Sequence, residues 1–272
     1  MHPILTDFFA REHITHYSLA RYDRLRKWAP ELTARDGIEP QTAILFLVPY
    51  YTLTPTNLSR YAASRDYHLA IREIGARLIA ELQATFPDAH FKTYGDHSPL
   101  DERSAALTSG LGFLGDNGLL IHETYGSYLF IADVLTDLPI ELLGEETVTE
   151  VRTCMHCGAC RAACPTGILR GCGTDCLSAI TQRKGELTPQ EMEWMRTYNT
   201  AWGCDLCQSV CPYNQNPAVT PIPFFHEDTI TTLTREGLDA MDKAAFKSRA
   251  FSWRGRKIVQ RNLDILAKND EK

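Results

Sequence analysis

No cysteine precedes residue 154 of this 272-residue chain and none follows residue 211, yet the chain contains nine. Disulfides that staple a weak core would not crowd into one window. With 44% hydrophobic and 23% charged residues the chain can bury a core without them. Also absent is any run of about 18 apolar residues, so no membrane-spanning helix is expected. The first residues, MHPILTDFFAREH, show neither a basic start nor an apolar h-region. No signal peptide is expected, and the cytoplasm, where thiols stay reduced, is the expected location. Positive charge is scarce: 28 Lys+Arg against 34 Asp+Glu leave a net charge of −6. That argues against a nucleic-acid binder working through a broad basic surface. One basic run stands out, Lys247, Arg249, Arg254, Arg256, Lys257 and Arg261, and a solvated helix face is its plain reading.

What is present divides the chain near residue 150. TAILFLVPYY (42–51) reads as a buried strand. Residues 58–86 carry a helical period through Leu69, Ile71, Ile74, Leu78, Ile79 and Leu82, broken by FPD. HFKTYG (90–95) reads as a short strand and LDERSAALTSG (100–110) as a helix stopped at Gly110. Residues 118–123 and 127–137 read as two further strands. The expectation is a mixed α/β (α+β) domain over 1–145, a cysteine module with short helices over 146–220, and a helical C-terminal segment over 221–272.

The cysteine module opens with CMHCGACRAACP (154–165). Zinc is usually held by two separated pairs of ligands. Cys-x2-Cys-x2-Cys-x3-Cys-Pro is instead the ferredoxin spacing, in which three thiolates wrap one [4Fe–4S] cube and the fourth reaches a second. WGCDLCQSVCPYN (202–214) repeats the pattern with Cys204, Cys207 and Cys211 but lacks a nearby first cysteine. Swapped ligation gives Cys154, Cys157, Cys160 and Cys211 for one cluster. The other takes Cys164, Cys204, Cys207 and either Cys172 or Cys176. Cys176 is favoured because it begins a helix behind Thr174 and Asp175, whereas Cys172 lies in a glycine-flanked loop as a spare thiol. Two cubes imply about eight irons per chain and an electron relay. A plain electron carrier would not need the first 145 residues.

Three stretches of that front region, RYAASRDYH (60–68), GDHSPLDERSAALTSGLGFLGDNGLLI (95–121) and TYGSYLFIADVLTDLPI (124–140), resemble the epoxyqueuosine reductases. These are cobalamin-dependent iron–sulfur enzymes related to the reductive dehalogenases. The resemblance extends through the cysteine module, including a lone cysteine before a short helix at the place of Cys176. It implies a ferredoxin-like double-cluster module fused to a corrinoid-binding domain. Electrons would pass through the cubes to cobalt to remove the epoxide oxygen from a modified base in a tRNA anticodon. An external donor such as flavodoxin or ferredoxin is implied, and no membrane. Asp96 matches the family's general acid and Asp66 a second active-site aspartate. Arg103, with Arg60, Tyr61, His68, Gly112 and Gly115, is implied as a corrinoid contact.

From below, an aspartate acting as an acid near neutral pH needs burial or a neighbouring negative charge, and Asp66 could supply one. The plainer alternatives are that Asp96 caps the helix after Pro99, that Asp66 belongs to a surface patch on the long helix, and that Gly110, Gly112 and Gly115 are turn glycines. His122 and His156 are not expected to bind cobalt. The chain departs from the family in carrying Asp116 where a lysine is usual. It also has a short N-terminal segment without the family's Met-x-Trp region, and a single helix, WRGRKIVQRNLDILAK, where longer members begin a helical-repeat domain. A strong grip on tRNA is therefore not expected. Three functions follow from these residues: a short epoxyqueuosine reductase, a corrinoid iron–sulfur reductase with another, small substrate, and a non-catalytic electron-transfer protein.

Overall fold

The structure, a computed structural model, describes residues 1–52, 54–146 and 153–267. The boundary expected near residue 150 lies outside them. By contacts the chain divides into two compact units, each assembled from separate segments: Met1–Tyr50 with His68–Met155 and Pro217–Ile222, and Tyr51–Tyr67 with His156–Asn216 and Pro223–Lys272.

The first unit is built on one antiparallel sheet. Its strands are β1 (Tyr17–Arg21), β2 (Thr42–Pro49), β3 (Phe91–Gly95) and, after a two-stranded hairpin of β4 (Phe113–Leu114) and β5 (Leu120–Ile121), β6 (Leu129–Thr136). The order across the sheet is β1-β2-β6-β3. Every residue of β2 is buried, because both faces of the sheet are covered. This is why TAILFLVP reads as a continuous apolar run rather than an alternating one.

One face meets the helix Tyr67–Thr85, which buries Ala70, Ile71, Ile74, Leu78 and Leu82 at helical spacing. The contact is closest at Gly75, where a β-carbon would fall on the Thr93 side chain. The N-terminal helix Pro3–Arg11 lies on Phe46 of β2 through Phe9, with ring centroids 5.3 Å apart. The other face, carrying Leu45, Tyr94, Leu129 and Leu135, packs with Ala105 and Ala106 of the helix Glu102–Thr108 and with Leu100, Leu111 and Leu120. Asp133 shares this second face: it stands opposite Leu45 on one side and Tyr94 on the other.

Two expectations need correction. The long helix begins at Tyr67, not 58. Residues 58–66 instead serve the second unit, where Leu58 bridges Trp202, Arg65 bridges Arg249 and the Asp66 N–H donates to the Ser248 carbonyl at 2.7 Å. The 42–51 strand ends at Pro49. The C-terminal segment is helical as expected, through Arg235–Ala240, Lys243–Lys247 and Arg256–Ala267.

The second unit has no sheet among its described residues. Its core gathers Leu58, Ala62, Trp202, Leu238, Phe251, Val259 and Leu263. Polar pegs fix its loops. Asn262, fully buried, donates to the carbonyls of Thr181 and Ala201 at 2.7 and 2.8 Å. Asn57 clamps Leu233 through both its backbone groups. The basic run is drawn into the same work. Arg249 donates to the Asp228 carbonyl, Arg256 to those of Leu238 and Met241, and Arg261 to those of Arg183 and Gly185. Three of its six cations thus cap backbone, and the solvated-face reading gives way to a structural one at those positions. No described helix is long and apolar enough to cross a membrane.

Candidate active site and cluster cysteines

Two groups of side chains carry chemistry, one in each unit. In the first, β3 ends at Gly95 and the chain turns through Asp96, whose φ of +65° is left-handed. A residue with a β-carbon adopts that region at a cost of about 1–2 kcal/mol, so the surroundings must hold it there. The Asp96 carboxylate is exposed, and its Oδ2 lies 3.5 Å from His68 Nε2 on the long helix. The capping alternative fails: Asp101, not Asp96, caps the helix Glu102–Thr108 by accepting from the Ser104 N–H at 3.2 Å.

Behind Asp96 lie two carboxyls that the sequence reading overlooked. Glu102, the first residue of that helix, is pushed up to about 9, first by burial and then by the negative charges of Asp133 and Asp96. Asp133 is fully buried and is raised to about 7 by burial, a hydrogen bond from Ser98 opposing the shift. Asp96 is thus one of the negative charges that act on Glu102. Asp66 belongs to the second unit, immediately ahead of the helix that starts at Tyr67. The signal for Asp133 was present in SYLFIADVLTD, where one carboxylate interrupts an apolar strand. Glu102 gave none beyond its place after a helix cap.

The residues named for a corrinoid divide. The Arg60 guanidinium reaches Asp205 at 3.3 Å, Ser209 at 3.2 Å and Thr54 at 3.1 Å. The Tyr61 hydroxyl accepts from Trp202 Nε1 at 2.9 Å. A β-carbon on Gly112 would meet the Ile121 carbonyl at 2.5 Å, and one on Gly115 would meet Asn117 and Ile121. Hairpin packing therefore accounts for both glycines, in line with their plainer reading. Arg103 is exposed and donates to the Gly118 carbonyl at 2.9 Å. Arg60 and Tyr61 belong to the second unit, and His68, Arg103, Gly112 and Gly115 to the first. Asp116, the departure from the family's lysine, has its carboxylate within 4.8 Å of Cys154 Sγ.

The second unit holds eight of the nine thiols, Cys154 being in the first. None of the nine is in a disulfide. Cys160, Cys164 and Cys211 are buried. Burial pushes the Cys204 thiol up to about 12, and the charges of Cys176, Asp205 and Cys164 push the same way. Cys207 is raised to about 12 by burial and then by Cys204, Cys176, Asp205 and Cys160. Thiols that disfavour one another's ionisation are close neighbours, and here they include Cys160, Cys164, Cys176, Cys204 and Cys207. Burial would raise Cys164 as well. The N–H groups of Leu169, Gly167 and Thr166 and the Thr166 hydroxyl outweigh it and lower the thiol. Such N–H donors to sulfur are among the means by which proteins tune iron–sulfur clusters. Cys172 is exposed, with its Sγ 3.5 Å from the Gly167 carbonyl. This donor set, soft thiols gathered without disulfides, suits iron–sulfur ligation. Arg60, Asp205, Ser209 and Cys204 also line a hollow of this unit.

Comparison with known proteins places both regions in one lineage. A family model described as a 4Fe-4S double cluster binding domain matches residues 153–214. The epoxyqueuosine reductase of Listeria monocytogenes serovar 1/2a is 33% identical over 265 residues, 89% of this chain and 67% of that protein. That of Bacillus subtilis (strain 168) is 33% identical over 76% of this chain and 54% of its own length. The solved structure of epoxyqueuosine reductase from Streptococcus thermophilus aligns with a TM-score of 0.74 at 26% identity. It covers 100% of this chain and 82% of that one.

Proposed function

We infer the function from one premise: this chain belongs to the epoxyqueuosine reductase family. It is an oxidoreductase that reduces epoxyqueuosine to queuosine in tRNA. The observation that carries this reading is the pairing, in one chain, of a left-handed, His68-neighboured Asp96 with a double-cluster cysteine module. The overall change consumes two electrons and two protons: the epoxide C–O bonds break, a C=C bond forms and the oxygen leaves as water. The clusters relay electrons, held by Cys154, Cys157, Cys160 and Cys211 in one set and by Cys164, Cys176, Cys204 and Cys207 in the other. Asp96 gives a proton to the departing oxygen, and His68 orients its carboxyl. A corrinoid, when bound, supplies the strongly reducing metal centre; this part rests on the family resemblance, with Arg103 and His68 the residues to test. Asp66 is the second candidate carboxylate. Flavodoxin or ferredoxin is the class of electron donor, and the cytoplasm the place of action. The domain division at 145 and 220 is kept as a proposal about function, catalysis before it and electron relay after.

A second reading, the same chemistry on a small substrate, is favoured by one observation: the backbone contacts of Arg249, Arg256 and Arg261 leave less basic surface for tRNA. The deciding test is an anaerobic assay on protein reconstituted with iron, sulfide and cobalamin. Wild type should convert epoxyqueuosine-bearing tRNA, and Asp96→Asn should lose about 10²–10⁴-fold in turnover with its iron content unchanged. Full activity in Asp96→Asn removes Asp96 as the acid. Cobalamin reduction with tRNA untouched moves the reading to a small substrate.

A further inference from the structure

In the second unit, segment 57–60 runs alongside the second cysteine run and backs it. The Ala201 N–H donates to the Asn57 carbonyl and the Ser59 N–H to the Trp202 carbonyl, both at 2.7 Å, with Leu58 bridging Trp202 between them. Gly203 lies so close that a β-carbon on it would overlap Ser59. The contact ends on Asp205, which stands in the loop between Cys204 and Cys207. Donors enclose its carboxylate. The Ser59 hydroxyl donates to Oδ1, as does Gln208 Nε2 at 3.1 Å. The Arg60 N–H at 2.7 Å and the Arg60 guanidinium at 3.3 Å donate to Oδ2. An ionised carboxyl only accepts, at about four lone-pair sites, and these donors fill them. The same guanidinium is pinned by Ser209 at 3.2 Å and Thr54 at 3.1 Å.

We propose that Arg60 is a positioning residue of the electron relay: it fixes Asp205 in the loop that carries Cys204 and Cys207 and offsets its charge, and the pair thereby sets the reduction potential of the cluster held there. The proposal rests on the reading of these cysteines as ligands of one cluster. It gives Arg60 a task in the relay rather than at the corrinoid. The Arg60 and Asp205 side chains are only 13% and 9% exposed, and charges so placed are screened little by solvent and salt. The Asp205 charge already disfavours negative charge on both neighbouring thiols. Uptake of one electron, with no proton, adds negative charge at the same place, and net charge nearby is one determinant of a cluster's potential. Asp205 alone therefore makes reduction harder, and Arg60 cancels much of that effect. Opposite charges at the two positions imply opposite shifts when each is removed, which a neutral peg of the same shape would not give.

Potentiometric titration of the reconstituted full chain with dithionite, followed by electron paramagnetic resonance, tests this. Arg60→Gln leaves Asp205 uncompensated. One cluster is then expected to be about tenfold less reduced at a fixed potential, a shift of about 59 mV downwards for one electron. Asp205→Asn leaves Arg60 uncompensated, and the same cluster is expected to shift upwards by a similar factor. Arg60→Lys keeps the charge and should titrate close to the wild type. Opposite shifts in Arg60→Gln and Asp205→Asn support the proposal. Shifts of one sign, or none, overturn it and leave the pair as a structural peg. An Arg60→Lys protein that titrates like Arg60→Gln overturns the charge compensation. If Arg60→Gln holds too little iron to titrate, the Asp205→Asn shift decides alone, and an unmoved or lowered potential overturns the proposal. A wild type that titrates but reduces no epoxyqueuosine fails the functional reading, while the potentials still decide this one. A wild type that takes up no cluster overturns both.

Discussion

The two units reach a fixed structure by different means. The first is a sheet clothed on both faces, its central strand wholly buried. Its order comes from apolar side chains alternating across a pleat. The second has short helices of 4 to 12 residues, held by buried amides on loop carbonyls and by thiols gathered for metal. A helix of that length is marginal alone. Hydrophobic burial is distributed, so losing one contact leaves the rest. Ligation and polar pegs are concentrated, so losing one member removes the reason several loops hold their places. The candidate acid Asp96 sits on the first unit, and eight of the nine thiols on the second.

The largest effect that separates the units is therefore loss of a cluster ligand. Cys176→Ser is expected to reduce iron from about eight to about four per chain and to lower the melting temperature of the second unit, because metal binding and folding are coupled there. Cys172→Ser should leave iron content unchanged, because Cys176 and not Cys172 is among the thiols whose charges act on Cys204 and Cys207. Iron analysis after anaerobic reconstitution, with differential scanning calorimetry, checks both. If Cys172→Ser loses iron and Cys176→Ser does not, the ligand assignment is reversed.

The same contrast explains what could be read in the residues. The β2 strand and the long helix were legible because burial periodicity needs no distant partner to be recognised, and the ferredoxin spacing because cube geometry fixes it. The start of the long helix was not. Residues 58–66 continue the apolar pattern, but the Leu58 bridge to Trp202 and the Asp66 bond to Ser248 hold them in another conformation. Tertiary context overrode propensity there. The basic run looked like a charged face because sequence shows charge and not its carbonyl partners. The resemblance identified Asp96 and suggested Asp66 as its neighbour. The carboxyl that interacts with Asp96 from behind, Glu102, comes from a helix start whose proximity to Asp133 only the folded sheet reveals.

A smaller effect sharpens the comparison from the second unit. Asn262→Ala strands the buried carbonyls of Thr181 and Ala201, which costs about 1–3 kcal/mol for each group left unsatisfied. Denaturant unfolding should show the loss in the transition of the second unit, with the midpoint of the first unit unmoved. Equal shifts in both would mean that the two unfold as one cooperative block.

The smallest effect, of opposite sign, tests the first unit. Thr93 on β3 presents its Oγ1 buried and without a partner, against the helix at Gly75. A sheet stabilised by packing should gain from removing that hydroxyl while keeping its shape. Thr93→Val is therefore expected to be neutral or stabilising by up to about 1 kcal/mol, since exchanging an unsatisfied polar atom for a methyl of similar volume removes a desolvation cost and opens no cavity. Gly75→Ala bears on the same contact from the other side. Its new β-carbon would overlap the Thr93 side chain, and the overpacking should cost about 1–3 kcal/mol. Combining it with Thr93→Ala recovers only part of that, because the Thr93 β-carbon itself would remain 2.7 Å from the added atom. A destabilised Thr93→Val would show that its hydroxyl is satisfied in solution, and the helix–sheet contact would then owe part of its strength to a polar bond.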